Sequence, residues 1–226
     1  APQEIVAEIT KLAQNGVKEV TLLGQNVNSY GKDRDDADFA DLLAMVDKIK
    51  GIERIRYMTS HPRDLTDKVI ETIKNSKHIC EHFHLPVQYG TDKMLKAMNR
   101  GYTTAYYKEL VAKIRNQFPE ASFTTDLIVG FPEETDEDFA QMLEFLKEIR
   151  YDAAYTFLYS KRSGTPAATM ENQVPQELKK ERLHKLMDAQ NEISLEINQS
   201  LLNKTVEVMV EGPSKTEPNV YTGHTR

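Results

Sequence analysis

The chain has 226 residues, with 29 lysines and arginines against 35 aspartates and glutamates, and therefore a net charge of −6. This balance argues against a protein that clamps nucleic acid with its whole surface, although it allows a local basic groove. The single cysteine, Cys80, excludes an internal disulfide and supplies no metal site by itself. No stretch approaches the roughly 18 consecutive apolar residues of a membrane span, and no signal peptide is evident, so we expect a cytoplasmic protein.

The first residues predict a helix that begins near Pro2, because apolar residues recur at helical spacing until Asn15 and Gly16 end the pattern. A helix at this position needs a preceding strand to pack against. We therefore expect a further segment upstream of this chain.

Predicted strands and helices then alternate as far as residue 159. Strands are expected at 17–23, 52–58, 82–87, 127–129 and 155–159, and helices at 38–49, 65–73, 91–98, 103–118 and 136–149. Five strands that each neighbour a helix predict βα units and a parallel sheet, which right-handed crossovers would close into a barrel or half-barrel. Polar residues, glycines and prolines collect where the strands end, the functional face of such a barrel.

One βα unit contains an unusual carboxylate, because Asp126 precedes the apolar run 127–129. Burial of Asp126 without a partner would be costly, so it either accepts a structural hydrogen bond from a neighbouring strand or contacts a ligand. After a turn at Gly130, Thr135 and Asp138 predict a capping box that begins the next helix.

The C-terminal part has a different pattern. A turn at 163–166 and a linker at 167–174 precede a long helix that is predicted to run to about residue 202, followed by a half-buried strand with Val206, Val208 and Val210 on one face. We expect a partial barrel at 1–166, a linker and helix at 167–203, and an incomplete β-module at 204–226. The cations of the long helix form either a solvated or a phosphate-binding face: Lys179, Lys180, Arg182 and Lys185.

Several polar residues at predicted strand ends are candidates for chemistry. His82 and His84 share one face of a strand, and with His61 they could bind a metal or could be ordinary interior and loop histidines. Gln88 ends a strand, and Arg100 follows a short helix that can return it to the same rim. Such a guanidinium suits a carboxylate or phosphate, or it pairs with a surface acid.

Five segments, in order, resemble the radical S-adenosylmethionine methylthiotransferases: LLGQNVNSYG, TSHP, HLPVQYGTDKMLKAMNRGYT, TTDLIVGFPEETDEDF and YTFLYSKRSGTPAA. The resemblance covers nearly the whole chain. It implies an α/β fold, a partial parallel (β/α) barrel followed by the start of a small all-β RNA-binding module of the TRAM type. It also implies a set of residues for binding S-adenosylmethionine: Gly24, Gln25, Ser60, Gln88, Arg100, Asp126 and Tyr159.

An enzyme of this family would add a methylthio group to C2 of N6-isopentenyladenosine beside the tRNA anticodon, with S-adenosylmethionine, two 4Fe–4S clusters and a reductant protein. The alternatives are a family member that modifies an aspartate of a ribosomal protein, and a metal-dependent barrel hydrolase that uses His61, His82 and His84. The family's Cys-x-x-x-Cys-x-x-Cys motif is absent and Cys80 lies elsewhere, so we expect this chain to hold no cluster and to be inactive alone. Tyr89 also stands where the family pattern has a small serine.

Overall fold

The computed structural model describes residues 1–33, 36–58 and 61–226. The helices are α1 (Pro2–Gln14), α2 (Phe39–Val46), α3 (Asp67–Lys74), α4 (Asp92–Ala97), α5 (Thr104–Gln117), α6 (Asp136–Ile149), α7 (Pro166–Thr169) and α8 (Gln176–Gln199). The strands are β1 (Glu19–Leu22), β2 (Arg54–Tyr57), β3 (His82–His84), β4 (Ser122–Val129), β5 (Ala153–Leu158), β6 (Val208–Pro213) and β7 (Tyr221–Thr225). Short 3-10 turns lie at Val27–Ser29 and Pro62–Asp64.

The first five strands are parallel, as the alternation of strands and helices predicts. β1 pairs with β2, and β3, β4 and β5 pair in that order, while a bridge between Ile55 and Ile79 joins the two groups. The carboxyl ends of all five strands therefore lie at one edge, which confirms the predicted (β/α) barrel arrangement.

The hydrophobic core lies between the sheet and the helices and leaves the inner face of the barrel open. Along β4, Phe123, Leu127 and Val129 are buried beneath the helices. The alternate residues Thr124 and Asp126 point to the other face and are half-buried. We call this inner, polar face of β1–β5 the lumen.

The helix after β4 begins as predicted, at a complete capping box. The Asp138 amide donates to Thr135 Oγ1 at 3.1 Å, and the Thr135 amide donates to Asp138 Oδ2 at 2.9 Å. Asp138 thus replaces the more usual glutamate in both halves of the motif. This cap fixes where α6 starts, and with it the length of the loop that follows β4.

Helix α8 packs along β5 and α6, with Leu186 and Ile193 buried. Its cations do not form one surface, contrary to both interpretations of the charge run. Lys179 and Arg182 are only 6% and 3% exposed. The exposed Lys180 and Lys185 pair with acids of the same helix. Acids and carbonyls in the loops after β4 and β5 bind the two buried cations, which allows them to enter the core.

The C-terminal hairpin, β6 and β7, lies at the amino-terminal ends of the barrel strands, opposite the functional edge. Arg54 Nη1 donates to the His224 carbonyl at 2.8 Å, and Arg56 Nη2 donates to the Thr225 carbonyl at 2.7 Å. The predicted half-buried valine face is wrong: Val206, Val208 and Val210 are 46%, 47% and 60% exposed. The hairpin is held through backbone carbonyls and through ion pairs of its charged side chains, so its valines contribute little to the contact.

Among the described residues, no helix combines the length and the apolar character that crossing a membrane requires.

Candidate active site

The structure brings Gln88 and Asp126 side by side at the functional edge. Pro86 has no N–H and interrupts the ladder between β3 and β4, where the Thr125 hydroxyl accepts from the Val87 amide at 3.0 Å. Backbone pairing then resumes, because the Gln88 amide donates to the Asp126 carbonyl at 2.9 Å and the Ile128 amide to the Gln88 carbonyl at 3.0 Å. This register places the Gln88 and Asp126 side chains at the mouth of the lumen.

A cavity of about 560 Å³ opens at this edge. Four of the residues singled out from the sequence line it: Gln88, Arg100, Asp126 and Tyr159. Gly24 and Gln25 lie in the loop after β1 and do not line this cavity, and Ser60 lies outside the described residues. Phe157 and Arg162 also line the cavity but were not among the predicted site residues.

Arg100 is held in place by two hydrogen bonds to uncharged groups. Its Nε donates to the Tyr102 hydroxyl at 3.2 Å, and its Nη2 donates to the Pro86 carbonyl at 3.3 Å. No carboxylate of the described residues forms an ion pair with it. A half-buried guanidinium fixed in this way suits an anionic ligand such as a carboxylate.

Asp126 belongs to a polar chain that runs along the lumen through β3 and β4. His82 Nε2 and His84 Nδ1 lie 2.9 and 3.0 Å from the Thr124 hydroxyl, and His84 Nε2 lies 3.7 Å from Asp126 Oδ1. Burial raises the pKa of the Asp126 carboxyl, although His84 and Arg100 oppose the shift. The carboxylate is 27% exposed toward the cavity, which favours a ligand-binding role over that of a buried structural acceptor.

Tyr159 connects the cavity to α8. Lys179 Nζ lies 5.0 Å from the centre of the Tyr159 ring and donates to the Tyr159 carbonyl at 3.1 Å, and the Phe131 ring packs edge-on at 5.0 Å. Gly130 has a φ of +75°, and a Cβ there would lie 2.3 Å from the Lys179 chain. The glycine therefore allows α8 to approach the site closely.

Gln88 has a φ of +74°, which is strained for a residue with a Cβ. Its side-chain amide lines the cavity and has no hydrogen-bond partner among the described residues. We expect Gln88→Gly to raise the free energy of unfolding by about 1 kcal/mol, since glycine relieves the strain. Gln88→Ala keeps the strain and serves as the matched variant, and urea unfolding of both measures the difference. A Gln88→Gly variant that is less stable than the unaltered protein would show that the Gln88 side chain stabilises the fold.

The donor set of the cavity fits S-adenosylmethionine and does not fit a metal or a cluster. The volume is in the range of ligand pockets, and Arg100 and Asp126 offer opposite charges to a zwitterionic ligand. Cys80 is buried beside the amino-terminal end of β3, away from the cavity, and burial raises the pKa of its thiol. No set of three histidines, cysteines or acids in the described ranges is placed to bind a metal ion, so the barrel-hydrolase alternative is not favoured.

The fold and the cavity together define a (β/α)-barrel protein with a ligand-sized cavity at the carboxyl ends of its strands. The sequence profile of the Radical SAM superfamily matches residues 1–146, and the chain belongs to this superfamily. The coproporphyrinogen III oxidase of Escherichia coli, a Radical SAM enzyme, has the same fold, with a TM-score of 0.63, 19% identity, and coverage of 84% of this chain and 43% of that one.

Closer relatives resemble the entire chain. The tRNA-2-methylthio-N(6)-dimethylallyladenosine synthase of Desulfitobacterium hafniense (strain Y51) is 58% identical over 226 residues, which is 100% of this chain and 51% of the relative. The synthase of the same name from Alkaliphilus oremlandii is 58% identical over 224 residues, 99% of this chain and 48% of the relative. The chain thus spans about half the length of the curated relatives it matches.

Proposed function

We propose that this chain is the S-adenosylmethionine-binding barrel of a cytoplasmic tRNA methylthiotransferase that modifies C2 of N6-isopentenyladenosine beside the anticodon. The observation that carries the proposal is the identity of 54–58% over the whole chain to synthases named for this product. The relatives described above are named for a tRNA product, so they favour tRNA over the alternative substrate, a ribosomal-protein aspartate.

The residues of the chain would bind and orient the cofactor and the base. Arg100 would bind the carboxylate of S-adenosylmethionine, Asp126 would accept from its ribose hydroxyls, and Gln88 would add an amide contact. Tyr155 and Phe157 are 53% and 50% exposed along the lumen, so their rings are available to stack on a purine. S-adenosylmethionine and two 4Fe–4S clusters, held by thiolates outside this chain and reduced by a partner protein, would supply the radical and sulfur chemistry.

Deleting the gene in its host and analysing the nucleosides of total tRNA tests the proposal. We expect the methylthio form to disappear, N6-isopentenyladenosine to accumulate, and the full-length protein to restore the modification. In the same strains, mass spectrometry of ribosomal proteins tests the alternative substrate. Unchanged tRNA nucleosides together with loss of a methylthio-aspartate would overturn the proposal in favour of that alternative.

Arg100→Ala in the full-length, cluster-loaded protein should weaken binding of S-adenosylmethionine by roughly 10- to 150-fold, because a charge-assisted hydrogen bond contributes roughly 1.5–3 kcal/mol. The affinity of Arg100→Lys should lie between those of the unaltered protein and Arg100→Ala, since lysine keeps the charge but lacks the planar fork of arginine. Equilibrium dialysis with labelled cofactor measures the affinity. Arg150→Ala, at an exposed arginine paired with Glu196 away from the cavity, is the control. If Arg100→Ala and this control bind S-adenosylmethionine with equal affinity, Arg100 does not bind the cofactor's carboxylate.

A further inference from the structure

Cationic side chains without acidic partners lie at and beside the mouth of the cavity. Arg63, Lys161 and Arg162 are exposed, and no carboxylate of the described residues forms an ion pair with any of them. Arg100 lies just inside the mouth and lacks such a partner as well. We call Arg63, Lys161 and Arg162 the rim cations.

The rim cations come from different loops but converge on one place. The Arg63 guanidinium lies against the backbone of Gly101, where a Cβ would be 2.8 Å from Nη1, so it neighbours Arg100. Arg162 lines the same cavity as Arg100 from the loop after β5. Lys161, beside it, is close enough to Lys179 to add to the effect of burial in lowering the pKa of that amine. The mouth therefore carries positive charge on more than one side.

Several exposed lysines elsewhere pair with neighbouring acids, and three of them provide charge controls for the rim cations. Lys180 pairs with Glu177 at 2.9 Å and Lys185 with Glu181 at 2.6 Å, and Lys147 pairs with Glu144 at 2.9 Å. In a chain with a net charge of −6, unpaired cations at one mouth form a local positive field. A field of this kind attracts a polyanion to the point where the cavity opens.

We propose that the rim cations bind the phosphate backbone of an RNA loop and hold its target nucleotide over the cavity. This inference rests on the proposed function and adds the surface through which the RNA is held. A base that enters the lumen must leave its own phosphate and the flanking phosphates at the mouth, since RNA-modifying proteins read unstacked bases in single-stranded loops. Arginine is suited to this contact because its planar fork can bind two phosphate oxygens at once.

The test compares two triple variants of the full-length protein, which lose the same charge at different places. The first is Arg63→Ala/Lys161→Ala/Arg162→Ala, and the second is Lys147→Ala/Lys180→Ala/Lys185→Ala. Binding of an anticodon stem–loop RNA that carries N6-isopentenyladenosine is measured without S-adenosylmethionine, over a range of salt concentrations. Leaving out the cofactor removes any contribution of Arg162 to cofactor binding, and thermal unfolding checks that each variant is folded.

We expect the rim variant to bind at least about tenfold more weakly than the unaltered protein, and the control variant to bind within about twofold. The slope of log affinity against log salt should fall by about 2 in the rim variant, because each lost phosphate contact removes about 0.7. If the unaltered protein binds the RNA tightly and the two triple variants weaken binding equally, the rim cations do not hold the RNA. The proposed function is unaffected by that result. If the unaltered protein does not bind the RNA, both the role of the rim cations and the proposed substrate are wrong.

Discussion

Glu134→Ala is expected to lower the free energy of unfolding by about 3–5 kcal/mol, because it removes the only buried carboxylate that pairs with the Arg182 guanidinium in the described residues. Arg182 Nη1 lies 2.7 Å from Glu134 Oε1, and the two side chains are 4% and 0% exposed. The Gly130 amide donates to the other carboxylate oxygen at 2.7 Å. Since Phe131 in the same loop lines the cavity and packs on Tyr159, cofactor affinity should fall with stability.

Asp136→Ala is the matched control, because Asp136 binds the same guanidinium at 2.6 Å but is 93% exposed. Its loss should cost less than about 1 kcal/mol, as is usual for an exposed ion pair. The double variant Glu134→Leu/Arg182→Leu should recover part of the lost stability, since it removes both buried charges together but leaves the Gly130 amide without its acceptor. Urea unfolding of the three variants measures these differences. Equal losses of unfolding free energy for Glu134→Ala and Asp136→Ala would mean that water reaches the ion pair between Glu134 and Arg182.

The sequence predicted those parts of the fold that depend on local patterns. Alternating apolar segments indicated the five parallel strands, and Thr135 with Asp138 indicated the start of α6. In a parallel barrel the carboxyl ends of the strands meet at one edge. For this reason the sequence pattern placed Gln88 and Arg100 on one rim, and the family resemblance added Asp126 to them, although the three lie in separate segments.

Features that depend on contacts between distant residues could not be predicted in this way. Arg182 appears solvent-exposed in a helical charge pattern, and it is buried because Glu134 lies opposite, 48 positions away. The positive φ of Gln88 arises where the ladder resumes after Pro86, with the Thr125 hydroxyl replacing a backbone partner. Neither arrangement leaves a local signal in the sequence.

The exposed valines of β6 illustrate the limit of reasoning from alternation. Alternation indicates that Val206, Val208 and Val210 share a face, but it does not indicate whether another element covers that face. In this structure the hairpin contacts the barrel through the carbonyls of His224 and Thr225, and the His224 side chain also pairs with Glu19 at 2.9 Å. These contacts join residues that are 169 to 205 positions apart in the sequence, so alternation within one strand does not reveal them.

Acidification should destabilise the protein between about pH 6.5 and pH 4 through His82. Burial, with smaller effects from Arg56 and His84, lowers the pKa of His82 to about 4. The unfolded chain takes up the proton near the ordinary pKa of about 6.5, so falling pH favours unfolding until the folded protein is protonated as well. The contribution of neutral His82 to the free energy of unfolding is fully present above about pH 6.5, and about 3 kcal/mol of it is lost by pH 4.

His82→Gln isolates this effect from the carboxylates that titrate in the same range, because glutamine keeps a hydrogen-bonding group near the Thr124 hydroxyl and cannot take up the proton. At pH 7.5 the variant and the unaltered protein should differ by less than about 1 kcal/mol. By pH 4.5 the variant should have gained about 2–3 kcal/mol relative to the unaltered protein. Urea unfolding across this range measures the gap, and His184→Gln, at an exposed position of α8, gives the baseline for removing a histidine. A gap that stays constant from pH 7.5 to pH 4.5 would mean that folded His82 is protonated as readily as in the unfolded chain, and hence that water reaches the lumen at Thr124.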